Sequence, residues 1–101
     1  MATFAIDWDG VIHDWDHPVA GRKLGPPMLH AKEVMQALFD AGHTIIIHSC
    51  NRPEVIAKWM AFYNIPYHLI WDQPGKPVAD WYVDDNALRF ESWQQVLRDI
   101  G

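Results

Sequence analysis

Asp7 and Asp9 stand two residues apart, directly after the apolar run Phe4-Ala5-Ile6 and just before Gly10. Residues two apart in an extended segment share a face, so both carboxylates can look into one cleft if strand geometry carries past Asp7. Gly10 then lets the chain turn sharply away. Asp84 with Asp85 closes a second apolar run, Trp81-Tyr82-Val83, and can bring another acidic pair to the same edge. Carboxylates that close repel one another unless a cation lies between them or one is protonated. Mg²⁺ takes octahedral oxygen coordination from one or two carboxylates, several waters and a substrate phosphate oxygen, and suits this make-up better than zinc does. Taken singly, an Asp-x-Asp-Gly is a surface turn and an Asp-Asp a helix start. Two acidic motifs, each closing an apolar strand, make a shared acidic site the better reading.

Other side chains fit around that site. Ser49-Cys50-Asn51-Arg52 follows the β-branched run Thr44-Ile45-Ile46-Ile47, and Arg52 lies just before a helix, where its guanidinium could fork onto a phosphate or carboxylate. Lys76 sits in the polar link between Pro74-Gly75 and Pro77. The six histidines are scattered, with no His-x-x-x-His pair on a helix and no Cys/His cluster, and are read as structural or exposed. Trp59, Trp71, Trp81 and Trp93 are read as core and edge packing rather than a stacking platform for bases.

The elements that must position these residues follow from periodicity. Thr3 to Asp7 reads as a buried strand. Val11 to Pro27 holds Pro18, Gly21, Gly25, Pro26 and Pro27 and reads as a loop or flap, with Pro27 suited to the first turn of a helix. Apolar residues from Met28 to Ala41, among them Leu29, Val34, Met35, Leu38 and Phe39, recur at helical spacing, and Gly42 supplies the stop. His43 to His48 is the second strand, Pro53 to about Tyr63 a helix, Tyr67 to Trp71 the third strand, Trp81 to Asp84 the fourth, and Glu91 to Ile100 a closing amphipathic helix. Strands alternating with helices imply a mostly parallel sheet, in which ligands sit beyond the carboxyl ends of the strands. Strands one, two and four end near Asp7, Ser49 and Asp84.

The 101 residues suit one domain, 1–101, with a single core and a fairly open site. A formal net charge of −5 argues against a nucleic-acid surface. The single cysteine, Cys50, cannot form an internal disulfide, and no apolar run approaches a signal peptide or membrane span, so a cytoplasmic protein with no membrane partner is expected.

Asp7-Trp8-Asp9-Gly10-Val11, the Ser49 that ends a buried strand, Lys76, and Tyr82-Val83-Asp84-Asp85-Asn86 together resemble the haloacid dehalogenase-like (HAD) superfamily of phosphatases, in order and across residues 4–86. The resemblance implies a three-layer, Rossmann-like α/β domain with a central parallel sheet and a minimal cap. It also implies a magnesium-dependent phosphatase in which Asp7 attacks phosphorus and becomes an aspartyl phosphate, with Asp9 as general acid and base. By the same resemblance, the metal is held by the Asp7 carboxylate, the backbone carbonyl of Asp9 and Asp84, with Asp85 nearby or acting through water. Ser49 then bonds a phosphoryl oxygen, with Asn51, Arg52 and Asp85 as the further expected substrate contacts, and Lys76 offsets the charge of Asp7 and phosphate. His13, Asp14, Trp15, His17, Arg22 and Lys23, on the flap, stand where capless members contact substrate.

The family places its lysine at the start of a helix, whereas only Asp72 to Asp80, rich in Pro and Gly, lies between strands three and four here. An extended crossover suffices, since crossing from strand three past two and one spans about 15 Å and nine extended residues reach roughly 30 Å. The expected substrate is a small-molecule or macromolecular phosphomonoester, and oligomerisation is open. The rival readings are a catalytically weak member serving as a binding or scaffold module, and a receiver-like signalling domain. Motif order opposes the second, because receivers carry the acceptor Asp after the third strand.

Overall fold

A computed structural model describes residues 1–15 and 24–84, the backbone of Leu88 and Arg89, and Trp93 and Arg98. Five strands, β1 (Thr3–Asp7), β2 (Thr44–His48), β3 (Leu69–Trp71), β4 (Trp81–Asp84) and β5 (Leu88–Arg89), form one sheet in the order β3-β2-β1-β4-β5. Every pairing is parallel. This is the order of a doubly wound Rossmann-like sheet, with its switch point between β1 and β4.

The β-branched and aromatic residues of β1 and β2 suit strands buried on both sides. Phe4 pairs with Ile45 and Trp81, and Ile6 with Ile47 and Val83, so these side chains share one face of the sheet. Phe4, Ile6, Ile45, Ile47 and Val83 form one buried cluster with Ala31, Val34 and Met35 of α1 (Ala31–Asp40) and with Ile56, Trp59 and Met60 of α2 (Pro53–Phe62). The opposite alternation carries Asp7, His48 and Asp84 to the strands' carboxyl ends.

α1 begins later than the apolar spacing predicts. Pro27 is not its first turn: it bridges to His13, with Asp14 N–H donating to the Pro26 carbonyl and Met28 N–H to that of Ile12, both at 2.8 Å. His30 then adopts a left-handed φ of 67° and Leu29 is 77% exposed, so the helical pattern is real only from Ala31. Tertiary pairing of the Pro26-Pro27 segment has overridden local periodicity. Gly42, at φ 87°, ends the helix as expected.

β3 starts at Leu69 rather than Tyr67, and the link 72–80 contains neither helix nor strand. β5 is a fifth strand that the sequence reading lacks. The expected closing helix lies mostly outside the described residues; of its span, Trp93 and Arg98 are described and helical, and Trp93 is buried, its indole N–H donating to the Val11 carbonyl at 3.2 Å. No helix among the described residues is long and apolar enough to cross a membrane.

Candidate active site

Parallel register sets four side chains in one row across the sheet. Asp7 pairs with His48 and His48 with Trp71, while Ile6 pairs with Val83, which brings Asp84 level with Asp7. Neighbouring strands lie about 4.8 Å apart, so Trp71, His48, Asp7 and Asp84 follow one another on a single face at the carboxyl edge. They line a cavity of 540 Å³, together with Ser49, Asn51 and Lys76. That volume is ample for a small-molecule ligand.

Lys76 arrives on the extended link. Its Nζ donates to Asp84 Oδ2 at 3.1 Å and lies 5.9 Å over the Tyr82 ring. Asp84 is 6% exposed at its side chain and Lys76 53%, so the ammonium reaches from solvent to a buried carboxylate. The lysine expected beside Asp7 therefore makes its direct contact one strand over, while sharing the cavity wall with Asp7. The link is held by Tyr82, whose hydroxyl donates to the Pro77 carbonyl at 2.7 Å, and by Trp71, whose indole N–H donates to the Gly75 carbonyl at 2.9 Å.

Ser49 and Asn51 shape the turn between β2 and α2. The Asn51 N–H donates to Ser49 Oγ at 3.1 Å, and the Arg52 N–H to Asn51 Oδ1 at 2.9 Å. Pro53 is the first helical residue, a position where its missing N–H is no loss. Arg52 is exposed and is not among the cavity's lining residues. Asp85 and the flap residues His17, Arg22 and Lys23 lie outside the described residues.

Asp9 is not among the lining residues either. Its Oδ1 lies 2.8 Å from Nδ1 of His13, and its side chain is 42% exposed. His13, expected to contact substrate from the flap, is instead buried. Of the other flap residues described, Trp15 is exposed and Asp14 half-buried. Trp8, between the two aspartates, is fully buried and packs edge-on against Trp59.

The pKa of the Asp7 carboxyl is held above its ordinary value, first because it is partly buried. The Trp8 N–H, donating to Oδ1 at 2.9 Å, and nearby His48 pull the other way; Asp84 and Asp9 add to the rise. A site that penalises its own negative charge in this manner is one that a cation relieves. Among the described residues no three His, Cys, Asp or Glu side chains converge as a ready-made ligand set. Asp7 and Asp84 supply the two carboxylates that Mg²⁺ takes when water and substrate complete its shell, so the residues fit that ion.

His48 is the residue that sequence reasoning missed. His43 and His68 are structural, their Nδ1 atoms accepting the N–H groups of Ala2 and Ile45. His48 differs: it lines the cavity, and its buried Nε2, without a hydrogen-bond partner among the described residues, lies 4.0 Å from Asp84 Oδ2. A polar residue closing β2 at the same level at which Asp7 closes β1 was the available signal.

No family model matches the chain, and no curated protein matches it. A solved structure of a conserved protein from Bacteroides thetaiotaomicron superposes with a TM-score of 0.76 at 22% identity, covering 98% of this chain and 88% of that one. A likeness at that identity shows the fold, a small α/β unit around a parallel sheet compatible with the Rossmann-like class.

Proposed function

We propose that the chain is a Mg²⁺-dependent phosphomonoester hydrolase of the HAD-like type, a three-layer domain with a minimal cap. The observation that carries this reading is the register row at the switch point: the Asp7 and Asp84 carboxylates on adjacent strands, with Lys76 and Ser49 on the same cavity wall. In open parallel sheets that crevice is where ligands bind. The order β3-β2-β1-β4-β5, with Asp7 closing the first strand, also differs from the 2-1-3-4-5 order of receiver domains.

In this mechanism Asp7 attacks phosphorus through a carboxylate oxygen, forming an aspartyl phosphate as the P–O bond to the leaving group breaks. Asp9 gives its proton to the departing oxygen. It then takes a proton from water, whose oxygen attacks phosphorus and releases inorganic phosphate with the Asp7 carboxylate restored. Ser49, on the cavity wall, hydrogen-bonds a phosphoryl oxygen. Lys76 lowers the negative charge of the Asp84 side of the site, which matters because the transition state spreads charge over the equatorial oxygens. When bound, Mg²⁺, held by the Asp7 carboxylate, the Asp9 backbone carbonyl and Asp84, supplies neutralisation of the carboxylates and the phosphoryl group.

The test is hydrolysis of a panel of phosphomonoesters with Mg²⁺ and with EDTA. Turnover that needs Mg²⁺ and is abolished by EDTA is expected, and full activity in EDTA would sink the metal assignment.

A further inference from the structure

The buried histidine behind Asp9 has both ring nitrogens engaged. His13 is 3% exposed, its ring parallel to that of Trp8 with centroids 4.3 Å apart and edge-on to Trp59 at 5.5 Å. The Gly25 N–H donates to Nε2 at 2.9 Å. A nitrogen that accepts carries no proton, so the ring proton sits on Nδ1, the atom 2.8 Å from Asp9 Oδ1. Gly25 is itself fixed, since its carbonyl accepts the Trp59 indole N–H at 2.9 Å from α2. The backbone of His13 is tied as well: its N–H donates to the Trp8 carbonyl and its carbonyl accepts the Gly10 N–H, both at 2.8 Å. The imidazole is thus locked in place, orientation and tautomer.

We propose that His13 is the positioning residue for the acid/base carboxylate. Its Nδ1–H holds Asp9 by Oδ1, restricts an otherwise half-exposed side chain to one orientation, and leaves Oδ2 as the oxygen that gives its proton to the leaving group and takes one from water. This inference rests on the phosphatase reading above and deepens it. Stacking on Trp8 ties the hydrogen bond to the residue between the two aspartates, so the acid/base is fixed relative to the segment that bears the nucleophile. Removing the donor leaves Asp9 in place but unoriented, which weakens proton transfer while sparing nucleophilic attack.

Two variants separate this role from mere packing. In His13→Asn the side-chain amide can stand where Nδ1 does and keep a donor to Asp9; in His13→Gln the amide oxygen can accept from Gly25 near the position of Nε2, with no donor to Asp9. The readout is the ratio of kcat/KM for dinitrophenyl phosphate, whose leaving group needs no proton, to that for a simple alkyl phosphate, whose leaving group does. General acid catalysis carries roughly 10²- to 10⁴-fold, so the Gln variant should raise the ratio by at least about tenfold and the Asn variant leave it within about threefold of wild type.

Long-range ¹H–¹⁵N correlation on the wild-type protein reads the tautomer directly: a protonated Nδ1 and an unprotonated Nε2 are expected. A proton on Nε2, or equal ratios in the two variants, overturns the assignment. Failure of the phosphatase reading shows separately, as a wild-type protein without Mg²⁺-dependent turnover whose His13 still gives the Nδ1–H pattern.

Discussion

Lys76→Ala and Asp84→Asn remove opposite ends of one ion pair and should have unequal consequences for the metal-free protein. At 3.1 Å two unit charges attract by about 1.3 kcal/mol at the dielectric constant of water and by about 5 kcal/mol at an effective value of 20. The Lys76 side chain is 53% exposed, so screening and the entropy of holding it reduce the net to about 1–2 kcal/mol. Deleting the lysine leaves the buried Asp84 carboxylate beside Asp7 without its ammonium. Deleting the carboxylate leaves an ammonium that solvent hydrates, and it relieves the repulsion on Asp7. In EDTA, Lys76→Ala should lower the melting temperature by about 5–10 °C, or the urea midpoint by about 1 M, whereas Asp84→Asn should lose far less. Mg²⁺ should then raise the melting temperature of Lys76→Ala more than that of wild type, because the cation replaces the missing charge, and should barely move Asp84→Asn. Equal losses for the two variants in EDTA, or an undiminished Mg²⁺ shift in Asp84→Asn, would refute the account of who neutralises whom.

Asp7→Asn should abolish phosphoryl capture, while Asp9→Asn, given a substrate with a good leaving group, should accumulate phosphate mass on the peptide containing Asp7; an adduct on Asp84 or turnover by Asp7→Asn would contradict the assigned roles. The raised folded-state pKa of Asp7 means that the native state binds this proton more tightly than the unfolded chain does. Stability of the metal-free protein is therefore lost as pH rises from about 3.8, the unfolded value, through the folded one. Asp7→Asn removes that loss, so its advantage in urea midpoint should grow over this interval and stay constant above it. His48→Phe removes the group that favours Asp7 ionisation and should move the acid limb of the kcat/KM profile to higher pH with little change in stability, since Nε2 has no hydrogen-bond partner to lose among the described residues. Gly10 holds a φ of 80°, so Gly10→Ala should cost about 1 kcal/mol in denaturation while keeping the spectroscopic signature of the fold.

The sheet was legible because its signals are local and redundant. Thr3–Asp7 is an apolar run that stops at an acidic residue, and Thr-Ile-Ile-Ile admits little but a buried strand, so both match the observed elements almost to the residue. The placement of Asp7, Ser49 and Asp84 at one edge followed from strand alternation alone. What stayed hidden depends on partners distant in sequence. Met28 and Leu29 continue a helical spacing that the pairing of Pro27 with His13 denies them. His13 reads as one more polar loop residue until Gly25 and Trp59 close over it. β5, two residues long, is too short to carry any periodicity.

The position of β1 between β2 and β4 also sets the order in which the protein can assemble. Contacts joining β2 to the β3 side span 23 residues and those joining β1 to the β2 side span 41, but those fastening β1 to the β4 side, such as Thr3 N–H to Asp80 Oδ2, span 77. Loop-closure entropy favours the nearer pairings, so β1, β2 and β3 with their two helices form the early nucleus and β4, with β5 beyond it, docks afterwards. Asp84 comes in with β4, and Lys76 with the link that precedes it. A chain emerging from the ribosome thus carries Asp7 on a formed sheet while the second carboxylate and its ammonium have yet to arrive. The acidic cluster is completed only after apolar burial elsewhere can offset its mutual repulsion.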